Sequence, residues 1–265
     1  MSQGVAVLGV GAMGSALVRG WLSAEIIEPD RIAVYDVMPG RAAELAAELG
    51  VHAADDPLAA VAGADAVLLA VKPADVRGAL EQIAAAQPAP LLVSIAAGVP
   101  LATLESCVPR WPVVRVMPNT AALVGAAASA YALGHAADES HARLAERLLS
   151  AVGRAWPVKE SLLNAVTGLS GSGPAYVYLA IEALADGGVR CGLPRDVAQA
   201  LAAQTLLGAA RMVLETGQHP AALKDKVCSP GGTTIAGVAA LEAHGFRAAL
   251  IEAVTAATRR ADELG

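Results

Sequence analysis

The sequence predicts an α/β protein: a doubly wound, largely parallel sheet in the N-terminal half, followed by a half built only of helices. Three observations predict it. Short apolar runs alternate with helical segments up to about residue 159, the pattern of strands covered by crossover helices. A glycine-rich turn joins the first run to the first helix. From Ser172 onward the strand patterns stop, and five helical segments follow, punctuated by proline and glycine.

Taken in order, Gly4–Val10 (GVAVLGV) reads as the first strand, Met13–Ala24 as a helix, Arg31–Asp36 (RIAVYD) as the second strand and Gly40–Leu49 as an amphipathic helix. Asp65–Val71 (DAVLLAV) has the unbroken apolar character of a strand buried on both faces. Val76–Ala86 is helical in pattern, Leu91–Ile95, Val113–Val116 and Ala128–Leu133 add strands, and Glu139–Val152 adds a helix. The helices expected beyond are Pro174–Val189, Pro194–Thr216, Pro220–Val227, Thr233–Ala243 and Phe246–Leu264. Prolines fit first-turn positions, and Gly217 and Gly245 fit helix stops. The expected domains are residues 1–159 and 160–265.

Composition narrows the function classes. Apolar residues make up 55% and charged residues 17%, against about 45–50% and about 25% in ordinary domains. Disorder is excluded by that balance. Gln82–Leu104, Val116–Ala137 and Ser161–Ile181 carry no charge, and about 20 residues suffice to span a bilayer. Pro88, Pro90, Pro100, Pro118, Gly168, Gly171, Gly173 and Pro174 interrupt them, and irregular backbone facing lipid is not tolerated. They are expected to be core and site, with no membrane span. Met1–Val10 lacks a basic region, so no signal peptide is expected. A net charge of −6 disfavours nucleic acid as a partner. Cys107, Cys191 and Cys228 suggest neither disulfides nor metal spacing and fit a cytoplasmic location. The five histidines have no ligand spacing either, so no metal is expected.

Gly9, Gly11 and Gly14 form G-x-G-x-x-G around Ala12 and Met13. The pattern follows a strand and opens a helix, the context in which it binds a dinucleotide. The first glycine permits the turn, the second admits the pyrophosphate, and the third lets helix and strand pack. Asp36, 22 residues past Gly14, stands where an acid bonds the ribose hydroxyls of NADH and repels a 2′-phosphate. Arg41 could instead pair with that phosphate of NADPH, or be a solvated helix residue. Asp36 tilts the expectation to NADH, with NADPH open. Three further strand ends close on Ala70-Val71-Lys72-Pro73, on Ser94–Gly98 with Ala96 and Ala97, and on Arg115–Thr120 with Asn119. Ligands of such sheets lie at that edge. Lys72 reads equally as a cofactor contact and as a surface lysine.

The helical half carries GLSGSGPAYVY at Gly168–Tyr178 and AAQTLLGAARMVLETGQHPAALKDKVCSPGGTTIAGV at Ala202–Val238. With GVGAMG, AVKP, SIAAG and RVMPNT, these make the chain resemble the pyrroline-5-carboxylate reductases from end to end. One departure is Ala121, where many members carry proline. The resemblance implies a Rossmann-like first domain and an all-helical second domain for substrate binding and dimerisation. It implies hydride transfer from NADPH or NADH to the C=N bond of 1-pyrroline-5-carboxylate, giving L-proline. It places Ser229, Gly231, Gly232 and Thr233 on the substrate carboxylate, and Thr234 as donor to the ring nitrogen. Family members form homodimers that can assemble into decamers. The residues agree: backbone N–H groups at a glycine-rich helix start bind an anion without a charged side chain. A Ser-capped helix start is the plainer reading of the same segment. Glu215 and Asp225 receive no role. A β-hydroxyacid dehydrogenase would carry a catalytic lysine where Pro174 and Tyr176 stand. An NAD(P)-sensing protein without catalysis would not need the Ser229–Thr234 loop.

Overall fold

The computed structural model describes residues 4–264; Met1–Gln3 and Gly265, the outermost residues of the two expected domains, lie outside them. Among the described residues there are eight strands: β1 (Val5–Leu8), β2 (Ile32–Tyr35), β3 (His52–Ala53), β4 (Ala66–Leu69), β5 (Leu91–Ser94), β6 (Val113–Met117), β7 (Ala127–Leu133) and β8 (Gly153–Pro157). They form one sheet in the order β3-β2-β1-β4-β5-β6-β7-β8. The first six are parallel. β7 runs antiparallel to β6, and β8 runs parallel to β7. The first six follow the doubly wound order 3-2-1-4-5-6, in which strand order reverses beside β1. Leu8 lies opposite Tyr35 on one side and Leu69 on the other. The turns after β1, β2 and β4 therefore leave the sheet at one level.

The two faces are covered as the apolar runs require. α1 (Ala12–Ser23), α2 (Arg41–Leu49) and α6 (Glu139–Ser150) bury Leu17, Trp21, Leu45 and Leu148 against one face. α3 (Pro57–Val61), α4 (Val76–Ile83) and α5 (Leu101–Cys107) bury Val61, Leu80, Ile83 and Leu104 against the other. Trp21 is 1% exposed, and its indole N–H donates to the Leu148 carbonyl at 2.8 Å, so its burial leaves no polar atom unpaired.

The Ser129 hydroxyl on β7 is buried with no hydrogen-bond partner. An unpaired buried hydroxyl costs about 1–3 kcal/mol. Ser129→Ala is therefore expected to leave the thermal midpoint unchanged or raise it by about 2–4 °C. A clear fall in the midpoint on thermal unfolding would contradict that account.

The chain divides into two compact units, one ending at Ser172 and including the tail from Ala256, the other Gly173–Thr255. The expected boundary at 159/160 falls inside the first unit, and side-chain contacts explain why. α7 (Leu163–Val166) buries Leu163 in the sheet's core. Glu160 Oε1 accepts from the Leu101 N–H at 2.6 Å and from Arg115 Nη1 at 2.9 Å. Asn164 donates to Asp262 at 2.7 Å.

The helical segments are α8 (Gly173–Arg190), α9 (Arg195–Thr216), α10 (Pro220–Val227), α11 (Thr233–Ala243) and α12 (Phe246–Leu264), each within a residue of expectation. Gly217 and Gly245 close helices with φ of +63° and +70°, a conformation that suits glycine. Ala185, Ala198 and Ala202 are the buried residues of α8 and α9, while Tyr178, Leu179, Leu184, Leu201 and Leu207 are exposed. Among the described residues α9 is the one single helix long and apolar enough to cross a membrane by length and composition; the three charge-free stretches are not such helices.

Candidate active site

The glycine turn is built by contact. Gly9 has φ +94°, its N–H donates to the Tyr35 carbonyl at 2.8 Å, and a Cβ there would meet the Ala70 carbonyl oxygen at 2.6 Å. A Cβ on Gly14 would overlap the Gly9 carbonyl oxygen. These two glycines serve the packing of β1, α1 and β4. Gly11 differs: a Cβ there meets nothing within 4 Å. Gly11 is the N-cap of α1 and makes no side-chain cap bond, so the first N–H groups of α1 lack helical partners beside a position where no side chain fills the space. That cradle fits a pyrophosphate.

A cleft of about 760 Å³ lies outside the ends of β1, β2 and β4. It brings together Gly9, Gly11, Asp36, Arg41, Ala70, Val71 and Lys72 as expected. Tyr35, Val37, Met38, Pro57, Gly78 and Gln82 also border it and were not expected. The adjacency of Val37 and Met38 to Asp36 was the signal available. Ala12, Met13, Gly14 and Pro73 are not among the residues bordering it, nor are Ala96, Ala97 and Asn119. Ala96 is buried, and Ala97 is exposed.

Two of the expected site residues have side chains bonded within the protein. Asp36 Oδ2 accepts the Val10 N–H and Oδ1 the Met38 N–H, each at 2.9 Å. Its side chain is 6% exposed, and the half-exposed Arg41 guanidinium stands 3.6 Å from Oδ2. The carboxylate braces the glycine turn against the end of β2. Asn119 is buried, with the residue 9% exposed. Its Nδ2 donates to the Ser170 carbonyl at 3.1 Å and its Oδ1 accepts the Ala128 N–H at 3.2 Å.

In the helical unit, Ser229–Gly232 forms a β-turn in which the Gly232 N–H donates to the Ser229 carbonyl at 3.0 Å. Pro230 holds the second position and Gly231, with φ +68°, the third, the type II arrangement. Gly232 is the extended N-cap of α11 and makes no side-chain cap bond, so Ser229 is not the cap that the plainer reading assigned to it. A Cβ on Gly232 would overlap Ser229 Oγ. Thr233 and Thr234 open the helix and are exposed. The first turn of α11 therefore presents N–H groups without helical partners beside two hydroxyls. Glu215 pairs with Arg211 at 2.8 Å and Asp225 with Lys224 at 2.6 Å. The Asp225 carboxylate holds the Lys224 ammonium above its ordinary pKa. Among the described residues no three His, Cys, Asp or Glu side chains are grouped to hold a metal.

Comparison with known proteins matches both parts of the chain. A family model for pyrroline-5-carboxylate reductase dimerisation matches residues 160–264, and one for NADP oxidoreductase, coenzyme F420-dependent, matches residues 4–98. The chain is 46% identical to a pyrroline-5-carboxylate reductase of Synechocystis sp. over 100% of this chain and 99% of that protein. A pyrroline-5-carboxylate reductase from Coxiella burnetii superposes with a TM-score of 0.95 at 35% identity, covering 100% of this chain and 99% of that one. The Plasmodium falciparum pyrroline carboxylate reductase, solved with NADP bound, gives 0.87 at 31% identity, covering 99% and 98%. Matched along its whole length by these relatives, the chain belongs to the pyrroline-5-carboxylate reductase family.

Proposed function

We propose that this chain reduces the C=N bond of 1-pyrroline-5-carboxylate to give L-proline, with NADPH as the preferred reductant. The observation that carries this reading is the uncapped start of α11 at Gly232. Its free N–H groups suit the substrate carboxylate with no basic side chain, through Ser229, Gly231, Gly232 and Thr233. The nicotinamide, when bound, supplies the hydride to the imine carbon. As the C=N electron pair moves onto nitrogen, the Thr234 hydroxyl donates a hydrogen bond to it, and the nitrogen takes up a proton from solvent. Thr234 is the catalytic residue of this proposal. Oxidation of NADPH by the purified protein, dependent on 1-pyrroline-5-carboxylate, tests it. Intact NADPH binding without turnover would favour a sensing protein.

The cofactor is assigned to the cleft beside Gly11, with Ala12, Met13 and Gly14 presenting the helix start and Ala70–Pro73, Ala96 and Ala97 the neighbouring strand ends. The preference for NADPH reverses the tilt toward NADH drawn from Asp36. It is supported by the two backbone bonds on the Asp36 carboxylate and by the half-exposed Arg41 at the cleft. A guanidinium pairs bidentately with a 2′-phosphate. Arg41→Ala is expected to raise the KM for NADPH about tenfold or more, given the strength of charge-assisted bonds, while leaving the KM for NADH within about twofold. An equal change for both cofactors in steady-state assays would refute the Arg41 assignment.

A second copy of the chain is the proposed cover for the apolar side chains of α8 and α9, in keeping with the dimerisation model that matches residues 160–264. Decamers of such dimers are the proposed higher assembly, which sedimentation mass distinguishes from the dimer. The free cysteines support a reducing cytoplasm as the location. No metal, membrane or nucleic acid enters the proposed reaction.

A further inference from the structure

We propose that Asn119 is a positioning residue, which holds the turn Thr167–Gly171 by supplying the donor that Pro174 removes. The turn is a single π-helical turn, in which the Ser172 N–H reaches back to the Thr167 carbonyl at 2.8 Å. Such turns are rare and often lie at functional sites. In a continuing α-helix the Ser170 carbonyl would accept from the N–H four residues on. That residue is Pro174, which has no N–H. The Asn119 amide takes its place, donating Nδ2–H to the Ser170 carbonyl at 3.1 Å. The orientation of the amide is dictated from both ends, because Oδ1 must accept the Ala128 N–H at 3.2 Å. Both amide groups are used inside the protein, and the residue is 9% exposed.

The bond joins two segments at the carboxyl edge of the sheet. Asn119 follows β6 in the turn Met117–Thr120. A Cβ on Gly171 would meet Met117 Cε at 2.5 Å, so the π turn packs directly on that segment. Thr167 and Ser170 hydroxyls donate back to the Leu163 and Val166 carbonyls, and none of them reaches Asn119's acceptor. The Ser170 carbonyl therefore depends on Asn119 for a donor that the backbone cannot provide. Loss of that donor frees the turn at the carboxyl edge of the sheet, the edge to which the cofactor is assigned. The functional consequence rests on the reading under Proposed function; the structural one does not.

Three variants test it: Asn119→Ala, Pro174→Ala, which returns a backbone N–H to position 174, and the double variant. Asn119→Ala is expected to lower kcat about tenfold, the scale of one lost donor to a buried carbonyl, with the NADPH Kd by fluorescence titration within about twofold of wild type. Amide hydrogen exchange in residues 167–172 should speed up about tenfold or more as the turn opens locally. Pro174→Ala in the Asn119→Ala background should restore most of that protection and most of kcat. Should Asn119→Ala fail to fold, Asn119→Asp, which keeps the acceptor for Ala128, takes its place. A tenfold weaker NADPH Kd with unchanged exchange would make Asn119 a cofactor ligand and overturn the proposal, as would a double variant no better protected than the single one. Absence of wild-type turnover would overturn the reaction assigned above, and the exchange and binding arms would still decide the role of Asn119.

Discussion

Gly11→Ala is expected to leave the fold intact and remove most of the protein's affinity for its dinucleotide. A Cβ at Gly11 meets no protein atom within 4 Å, and the residue has φ −65°, which alanine adopts freely. The stability cost is the exchange of one N-cap residue, about 1 kcal/mol or less. The methyl group instead enters the space assigned to the pyrophosphate, and a tenfold to hundredfold rise in NADPH Kd corresponds to about 1.4–2.8 kcal/mol. Gly14→Ala is the contrast. Its Cβ would overlap the Gly9 carbonyl oxygen, a backbone atom that cannot swing away, and overpacking of that kind costs about 1–3 kcal/mol or more. Gly14→Ala should lower the thermal midpoint, whereas Gly11→Ala should change NADPH Kd with the midpoint nearly constant. A Gly11→Ala protein that binds NADPH as the wild type does would remove the glycine turn from the cofactor site.

Thr234→Ala is expected to lower kcat about a hundredfold to a thousandfold while leaving NADPH Kd within about twofold. A preorganised donor aimed at developing negative charge contributes about 3–4 kcal/mol, and only the reacting nitrogen develops that charge. Thr234 is the second residue of α11, next to N–H groups assigned to the substrate carboxylate, so carboxylate binding survives the loss of its hydroxyl. Thr234→Ser keeps the donor and should recover most of kcat. Wild-type kcat in Thr234→Ala would deprive the residue of its role.

Legibility in the sequence followed the strength of the local pattern. β1 and β4 are unbroken apolar runs and β5 is apolar up to Ser94, all three buried at every residue, and they were readable for that reason. Helices α9 to α12 were readable to a residue because proline opens or precedes two of them and glycine closes or separates others. β3 has two residues, too few for any periodicity, and β8 contains Arg154 and Pro157 with no fully buried position, as an edge strand permits. The short helices α3 and α5 are hidden by the alanine-rich background and the charge-free stretch around them. At the site, the glycine turn was visible because its requirements are local. The occupations of Asp36 and Asn119 were not, because their partners Val10 and Ser170 lie 26 and 51 residues away. Pro174 was in plain view, but the carbonyl that it leaves without a donor becomes apparent only when the chain is folded.

The central claim is imine reduction with NADPH as the reductant. The most direct measurement is steady-state turnover of 1-pyrroline-5-carboxylate by the purified protein with NADPH and with NADH, with the product identified by chiral chromatography. The account predicts L-proline formed in step with cofactor oxidation, and a higher kcat/KM with NADPH than with NADH. Intact NADPH binding without proline formation would contradict the reaction, and a higher kcat/KM with NADH would contradict the reading of Asp36 and Arg41.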